Sequence, residues 1–346
     1  MKALTFHGPG RRSWEDVPKP ELHDADDAIV RVDAVTVCGT DLHILKGDVP
    51  EVEAGRILGH EAVGTIEAVG PGVRSVAVGD RVLISCITAC GRCRYCREGA
   101  YGQCLGGGGW ILGHTIGGTQ AEYVRVPFAD TSVHLLSDDI SDTSAVLLAD
   151  IVPTAYEVGV RNGRVEPGDV VVIVGAGPIG LAAVLTSKLM SPGHIVVIDR
   201  IASRLDAAKQ LGADIALKPD DDVRGVIGQL TSMLGADVAI EAVGTPETFE
   251  MCVGLVRPGG RIANVGVHGQ PATLHLESLW SRNVTITTGL VDTFQTPRLL
   301  SMVTSGQLHL DSLVTHRFGI DEMMDAYDIF SRADETNALK VVAYRS

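Results

Sequence analysis

The sequence predicts an α/β chain of two parts: a β-rich domain of short strands, and a doubly wound parallel sheet in which apolar strands alternate with helices. Three observations predict it. Short β-rich runs punctuated by Gly and Pro fill roughly the first 130 residues. Near residue 165 the texture changes to uniformly apolar runs separated by helical stretches, and from about residue 296 it reverts to a mixed texture. At 346 residues the chain is long for one hydrophobic core and comfortable for two.

Within the first part, the runs 28–37, 62–69, 80–85 and 121–126 predict the strands of a small barrel or sandwich. In the second, 170–174 and 194–198 predict buried parallel strands with a helix at 179–190 between them. Another helix is expected over 203–211, with Ser203 as its cap and Asp206 in its first turn. The strand 236–242, a helix opening at Thr245-Pro246, the turn Pro258-Gly259-Gly260 and the strand 261–265 continue the alternation. A helical stretch at 321–331 and a closing strand at 339–344 follow, and the glycine run 106–109 predicts a mobile loop.

Composition narrows the function classes. Hydrophobic residues make up 45% of the chain, which suits a packed globular protein. A formal net charge of −14 opposes nucleic-acid binding, including a zinc-ribbon reading, because phosphate recognition needs a basic face. The start MKALTFHGPG has no apolar signal core, and no apolar run approaches the roughly 20 residues that span a bilayer, so a soluble cytoplasmic protein is expected. Seven cysteines, an odd number, suit a reducing compartment; Cys252 reads as a core residue and Cys86 as a spare thiol.

Four of those cysteines, Cys90, Cys93, Cys96 and Cys104, are closely spaced, and two-residue gaps let consecutive sulfurs face one centre from a tight loop. Four thiolates suit a closed tetrahedral zinc site; free core cysteines and two disulfides are the competing readings. Gly91, Gly99 and Gly102 permit the turns, and Arg92, Arg94 and Arg97 offset thiolate charge. A closed site has no position for substrate, so the chemistry lies elsewhere.

Between the strand 170–174 and its helix stands Gly175-Ala176-Gly177-Pro178-Ile179-Gly180, the context of a dinucleotide fingerprint. Gly175 makes the tight turn, Gly177 lets backbone amides approach a pyrophosphate, and Gly180 permits close helix-to-strand contact. Asp199, at the end of the next strand, accepts ribose hydroxyls and repels a 2′-phosphate, which favours NAD over NADP; Arg200 and Arg204 argue the other way by shielding a phosphate. A plain strand-to-helix connector is the alternative for this turn.

Cys38 and His60 are metal-capable, but spacing alone does not separate ligands from core residues. The run Gly59-His60-Glu61-x2-Gly64-x5-Gly70-x2-Val73 resembles the zinc signature of the medium-chain dehydrogenase/reductase family, in particular its zinc-dependent alcohol dehydrogenases. The likeness extends to the segment 38–43, the four-cysteine lobe, Leu148-Ala149-Asp150, the glycine fingerprint and Ala338-Leu339-Lys340-Val341-Val342, in that order. It implies a GroES-like catalytic domain over 1–153 and 296–346, with a zinc-stapled lobe at about 86–108, and a Rossmann cofactor domain over 154–295, the active site lying in the cleft.

The same resemblance implies two zinc ions per chain. The four-cysteine lobe would hold a structural one, and Cys38, His60 and Asp150 a catalytic one with its fourth position open. A carboxylate at Asp150 resembles the bacterial branch often acting on secondary alcohols. Glu61 resembles the family glutamate behind the metal, either a transient ligand or a supporting carboxylate. Thr40 and His43 resemble the proton relay. Thr154, Val243, Val267 and Leu290 match positions around the nicotinamide, and Lys340 one that reaches a cofactor phosphate. Trp110 either walls the substrate pocket or anchors the glycine loop. The segment 284–290 resembles the edge strand through which relatives pair, which implies a homodimer or homotetramer. The implied reaction is reversible hydride transfer between a primary or secondary alcohol and NAD, giving an aldehyde or ketone. A polyol or formaldehyde-type zinc dehydrogenase is the near alternative, and a non-catalytic relative the further one.

Overall fold

The computed structural model describes residues 1–345. The chain divides into two compact units: residues 1–153 together with the stretch from Val291 onward, and residues 154–290. The return to the first unit therefore falls at Val291 and not near Thr296, because Val291, Thr293 and Thr296 are all buried and Ser85 Oγ donates to Thr293 Oγ1 at 2.6 Å.

The strand Ala28–Val37 organises the first unit. Its ten residues are long enough to take Tyr123–Val126 against one half and Lys340–Tyr344 against the other, both antiparallel, with Ala62–Val69 along the opposite side. Ala62–Val69 leads on to Arg81–Ile84 and Val133–Leu135, and Lys340–Tyr344 pairs in parallel with Val314–Gly319. Register shifts at Ile29/Val30 and Val32/Ala34 disrupt the ladder and bend the sheet. A three-stranded sheet of Arg12–Asp16, Lys2–Phe6 and Arg56–Ile57 was not legible, since RSWED carries no apolar alternation.

In the run 106–109, expected as a mobile loop, Gly106 and Gly107 are exposed while Gly108 and Gly109 close on the Thr88 backbone. A Cβ on Gly106 would lie 2.6 Å from Cys90 Sγ and one on Gly108 2.5 Å from the Thr88 carbonyl oxygen, while Gly109 N–H donates to that carbonyl at 2.6 Å. Gly108 and Gly109 serve close approach between backbones, and Gly106 makes room for the Cys90 side chain.

In the second unit the strand order is Ile215–Leu217, His194–Ile198, Val170–Val174, Ala236–Glu241, Val256–Asn264 and Thr285–Thr288, with every neighbouring pair parallel. All five residues of VVVIV are buried, as a strand covered on both faces requires. The first strand in sequence is central, so the winding reverses beside it and opens a crevice at the carboxyl ends. The helix Pro246–Leu255 opens as expected, with Thr245 Oγ1 accepting from Thr248 N–H. The helix Ala202–Leu211 does not: its cap is Ile201, Ser203 lies inside it and Asp206 beyond its first turn. Asp199 takes over part of the capping by accepting from Ile201 N–H at 2.8 Å. Cys252 and Cys86 are both buried, and among the described residues no helix is long and apolar enough to cross a membrane.

Candidate active site and metal centres

Three remote segments of the first unit converge on one point. Cys38 follows the strand Ala28–Val37 and caps the helix Gly39–Lys46, His60 follows Gly59, and Asp150 lies just beyond the helix Asp142–Leu147. Gly59 has φ +91°, and a Cβ there would lie 2.5 Å from the Gln120 side chain, so only glycine delivers His60 to this position. One ligand atom from each of Cys38, His60, Glu61 and Asp150 lies within 4.8 Å of all the others. Asp150 Oδ2 is 3.6 Å from Cys38 Sγ and 3.3 Å from His60 Nε2.

Burial pushes the Cys38 thiol up, and the neighbouring Glu61 charge adds to it. Burial also raises Glu61. It presses the His60 imidazole down, but hydrogen bonds to Asp150 and Cys38 outweigh that and hold it well above its ordinary range. An enclosed thiol and two carboxylates around one imidazole accumulate negative charge that a cation at their centre relieves, and the mixed S, N and O donor set suits zinc. The residues present therefore fit a divalent metal.

The surroundings of this cluster were invisible in the sequence. His60 Nδ1 stands 3.9 Å from Asp41 Oδ1, a buried oxygen with no hydrogen-bond partner, while Asp41 Oδ2 accepts from Cys38 N–H and Gln120 Nε2, both at 2.9 Å. Asp41 Oδ1 is thus the acidic oxygen on the Nδ1 side of the ring, and with a metal in place of the Nε2 proton shared with Asp150 and Cys38 it would favour the remaining proton on Nδ1. Gln120 is held in turn by the Tyr327 hydroxyl, which donates to its Oε1 at 2.7 Å. Asp41 carried no role in the sequence reading; the pairings of Asp41 with Gln120 and of Gln120 with Tyr327 span 79 and 207 residues.

Lys340 corrects the sequence reading. Its ammonium is buried at 1% exposure and lies 2.6 Å and 2.9 Å from the two oxygens of Glu61, so it does not extend into solvent toward a cofactor phosphate. Thr36 Oγ1 donates to the same carboxylate. Thr40 Oγ1 is 3.8 Å from Cys38 Sγ, and the half-buried His43 pairs through Nδ1 with Asp48 at 2.8 Å. Trp110 turns its ring edge-on to His60 at 6.5 Å and stacks on His114 at 4.4 Å, which sets it beside the metal cluster.

The second cluster is local. Ligand sulfurs of Cys90, Cys93, Cys96 and Cys104 all lie within 4.8 Å of one another, without disulfides. Cys93 Sγ accepts from Cys96 and Leu105 N–H, and Cys104 Sγ from Cys90 and Gly106 N–H. These amides, and not the arginines, lower the Cys93 thiol to about 6. Arg94 is spent on Glu98 at 3.2 Å. Burial raises Cys96 to about 12, so Cys93 and Cys96 differ in their readiness to ionise, and a metal held here would bind both as thiolates.

In the second unit Gly175 has φ +102°, and a Cβ on Gly180 would lie 1.8 Å from the Gly175 carbonyl, whereas nothing stands within 4 Å of one on Gly177. The motif is tight where helix meets strand and open where a pyrophosphate would approach the first amides of Pro178–Lys188, including that of Ile179. Asp199 Oδ2 accepts from Ala176 N–H at 2.7 Å, joining the second strand end to this turn. Arg200 is exposed and Arg204 half-buried on the next helix. Val243, Val267 and Leu290 are large apolar side chains left exposed, and Val243 abuts Gly175; Thr154 is half-buried. Fully buried Glu241, not anticipated from sequence, accepts from Val243 and Gly244 N–H at 2.9 Å and so braces the turn that carries Val243.

Two family models match this chain: the alcohol dehydrogenase GroES-like domain over residues 24–138 and the zinc-binding dehydrogenase over residues 178–304. An alcohol dehydrogenase of Cupriavidus necator is 35% identical, covering 96% of this chain and 95% of its own. The apo structure of zinc-dependent alcohol dehydrogenase 2 from Streptococcus pneumonia is similar with TM-score 0.96 and 46% identity, covering 100% of this chain and 99% of that one. Two more distant structures carry cofactor. An alcohol dehydrogenase from Escherichia coli CFT073 complexed with NADH has TM-score 0.89 and 28% identity, covering 99% of each chain. A zinc-binding dehydrogenase from Sinorhizobium meliloti 1021 bound to NADP has TM-score 0.87 and 27% identity, covering 99% and 98%. With the metal cluster, the parallel sheet and both family models in agreement, this chain belongs to the zinc-dependent alcohol dehydrogenases of the medium-chain dehydrogenase/reductase family, oxidoreductases acting on alcohol CH–OH donors.

Proposed function

We propose that this protein oxidises a small primary or secondary alcohol to its aldehyde or ketone, reversibly, with NAD as hydride acceptor and two zinc ions per chain. The observation that carries the reading is the convergence of Cys38, His60 and Asp150 on one point, with Glu61 beside them. Zinc held there supplies a Lewis acid that lowers the pKa of a bound alcohol toward neutrality.

The chain's own residues do the rest. Asp41 keeps the His60 lone pair turned toward the metal position. Thr40 accepts the alcohol proton and passes it outward toward His43; the 3.8 Å separation of its hydroxyl from Cys38 Sγ supports that role. The edge of Trp110 limits the apolar side of the substrate space. Amides at the start of Pro178–Lys188 hold the cofactor pyrophosphate. Asp199 takes the adenosine ribose hydroxyls and disfavours a 2′-phosphate, with Arg200 and Arg204 at the rim. Thr154, Val243, Val267 and Leu290 frame the nicotinamide. The four-cysteine lobe holds the second zinc as a staple. The protein works as a homodimer or homotetramer, a reading supported by the terminal strand Thr285–Thr288 and by Trp280 nearby in sequence, exposed at 80%.

Initial rates with primary alcohols, secondary alcohols and polyols, each with NAD and NADP, test this reading alongside metal analysis. Two zinc ions per chain, one of them lost in Cys38→Ser, and NAD-dependent alcohol oxidation are expected. Full activity with a single zinc ion would overturn the two-site assignment, and a zinc-replete protein inert toward every alcohol would overturn the activity.

A further inference from the structure

Arg56, on the short strand Arg56–Ile57, is a half-buried cation with nothing to hold. Arg12, Arg31, Arg81, Arg257, Arg261 and Arg345 are half-buried like it, and each donates to a carboxylate or a backbone carbonyl. Among the described residues the Arg56 guanidinium has no hydrogen bond or ion pair, and its Nε is shut off from solvent as well. Donors withdrawn from water cost free energy unless something accepts from them.

Arg56 lines a cavity of about 290 Å³ in the first unit, and none of Cys38, His60, Glu61 and Asp150 borders it. Ile57, Ile116 and the Tyr123 ring make much of the wall apolar. Arg125, also on the lining, is matched through Nη1 to Asp27 Oδ2 at 3.0 Å. Glu21 is the one carboxylate there; it is exposed, hence screened by water, and forms no ion pair with either arginine. The Arg56 charge is therefore the one left for a ligand. A planar guanidinium meets a carboxylate through two parallel hydrogen bonds, which a point charge does not match. At roughly 30 Å³ for each water-sized group, the cavity holds about ten non-hydrogen atoms.

We propose that this cavity is a binding site, separate from both metal clusters, for a small carboxylate with an apolar body, whose carboxyl group takes the Arg56 fork while the body lies against Ile57, Ile116 and Tyr123. Calorimetric titration of the zinc-loaded protein with hexanoate tests it. Hexanoate should bind, and Arg56→Gln should weaken that binding by about tenfold or more, the loss of one charge-assisted hydrogen bond. Cys38→Ser, which removes a ligand of the catalytic metal, should leave it in place. Inorganic phosphate, an anion without an apolar body, should bind more weakly than hexanoate. Arg56→Lys keeps the charge but not the fork; it should weaken binding by less, and it serves if Arg56→Gln does not fold. Absence of hexanoate binding, or binding unchanged in Arg56→Gln and, where that variant is insoluble, in Arg56→Lys, would overturn the site. Binding lost in Cys38→Ser would assign the carboxylate to the catalytic metal and overturn it too. Phosphate held as tightly as hexanoate would overturn the apolar part of the recognition.

Discussion

Asp41 shows how one carboxylate sets the chemistry of a neighbour it does not replace. Its Oδ2 is occupied by Cys38 N–H and Gln120, so only Oδ1 is available to the His60 imidazole. Asp41→Asn should leave the fold intact but weaken catalytic metal binding by about 10- to 100-fold. Chelator-driven metal release followed separately for the two sites checks it, with the four-cysteine site as internal control. His134 makes a different prediction. Burial holds its imidazole down at about 4, against 6.5 in the unfolded chain. Above pH 6.5 the group is neutral in both states. Between 6.5 and 4 the unfolded chain takes up a proton that the folded one refuses, so stability should fall with decreasing pH by at most about 1.4 kcal/mol per unit from this residue. Urea unfolding across that window should show the slope, and His134→Leu should flatten it.

At the scale of elements, the glycine turn and the cysteine lobe are the two segments whose geometry follows from short-range chemistry. The turn tolerates no side chain where Gly180 meets Gly175 at 1.8 Å from a would-be Cβ. Gly180→Ala should cost about 1–3 kcal/mol of stability by overpacking and abolish NADH binding, measured by urea unfolding and fluorescence titration. Asp199→Gly should spare the strand but shift relative affinity from NAD toward NADP. In the lobe, Cys93 caps the short helix Arg94–Arg97 through Cys96 N–H and also accepts from Leu105, so it organises the loop as well as offering a ligand. Cys93→Ser should release one zinc ion and lower the melting temperature before it affects the affinity for NADH. Persistence of two zinc ions in that variant would refute the lobe assignment.

For the whole molecule, the sheet edge at Thr285–Thr288 and the exposed Trp280 make a prediction about assembly. Trp280→Glu changes a side chain 80% exposed in the single chain, so folding should be unaffected while light-scattering mass falls to that of one chain. The sequence by itself determined what is local. Four cysteines within one loop, a glycine turn between an apolar strand and its helix, and buried VVVIV next to alternating β-rich runs each encode their geometry over a few residues, where chain connectivity already brings the groups together. Cys38, His60 and Asp150 needed resemblance, because nothing in 38–150 spaces them like ligands. The tertiary structure alone decided what lies behind them. Lys340, 279 residues from Glu61, belongs to the closing strand only because that strand pairs beside Thr36, and the pairing turns an apparent phosphate-binding lysine into the buried counter-charge of the metal site. Such pairings depend on which strands share a sheet, and strand neighbours are chosen by packing across the whole fold, which no run of adjacent residues specifies.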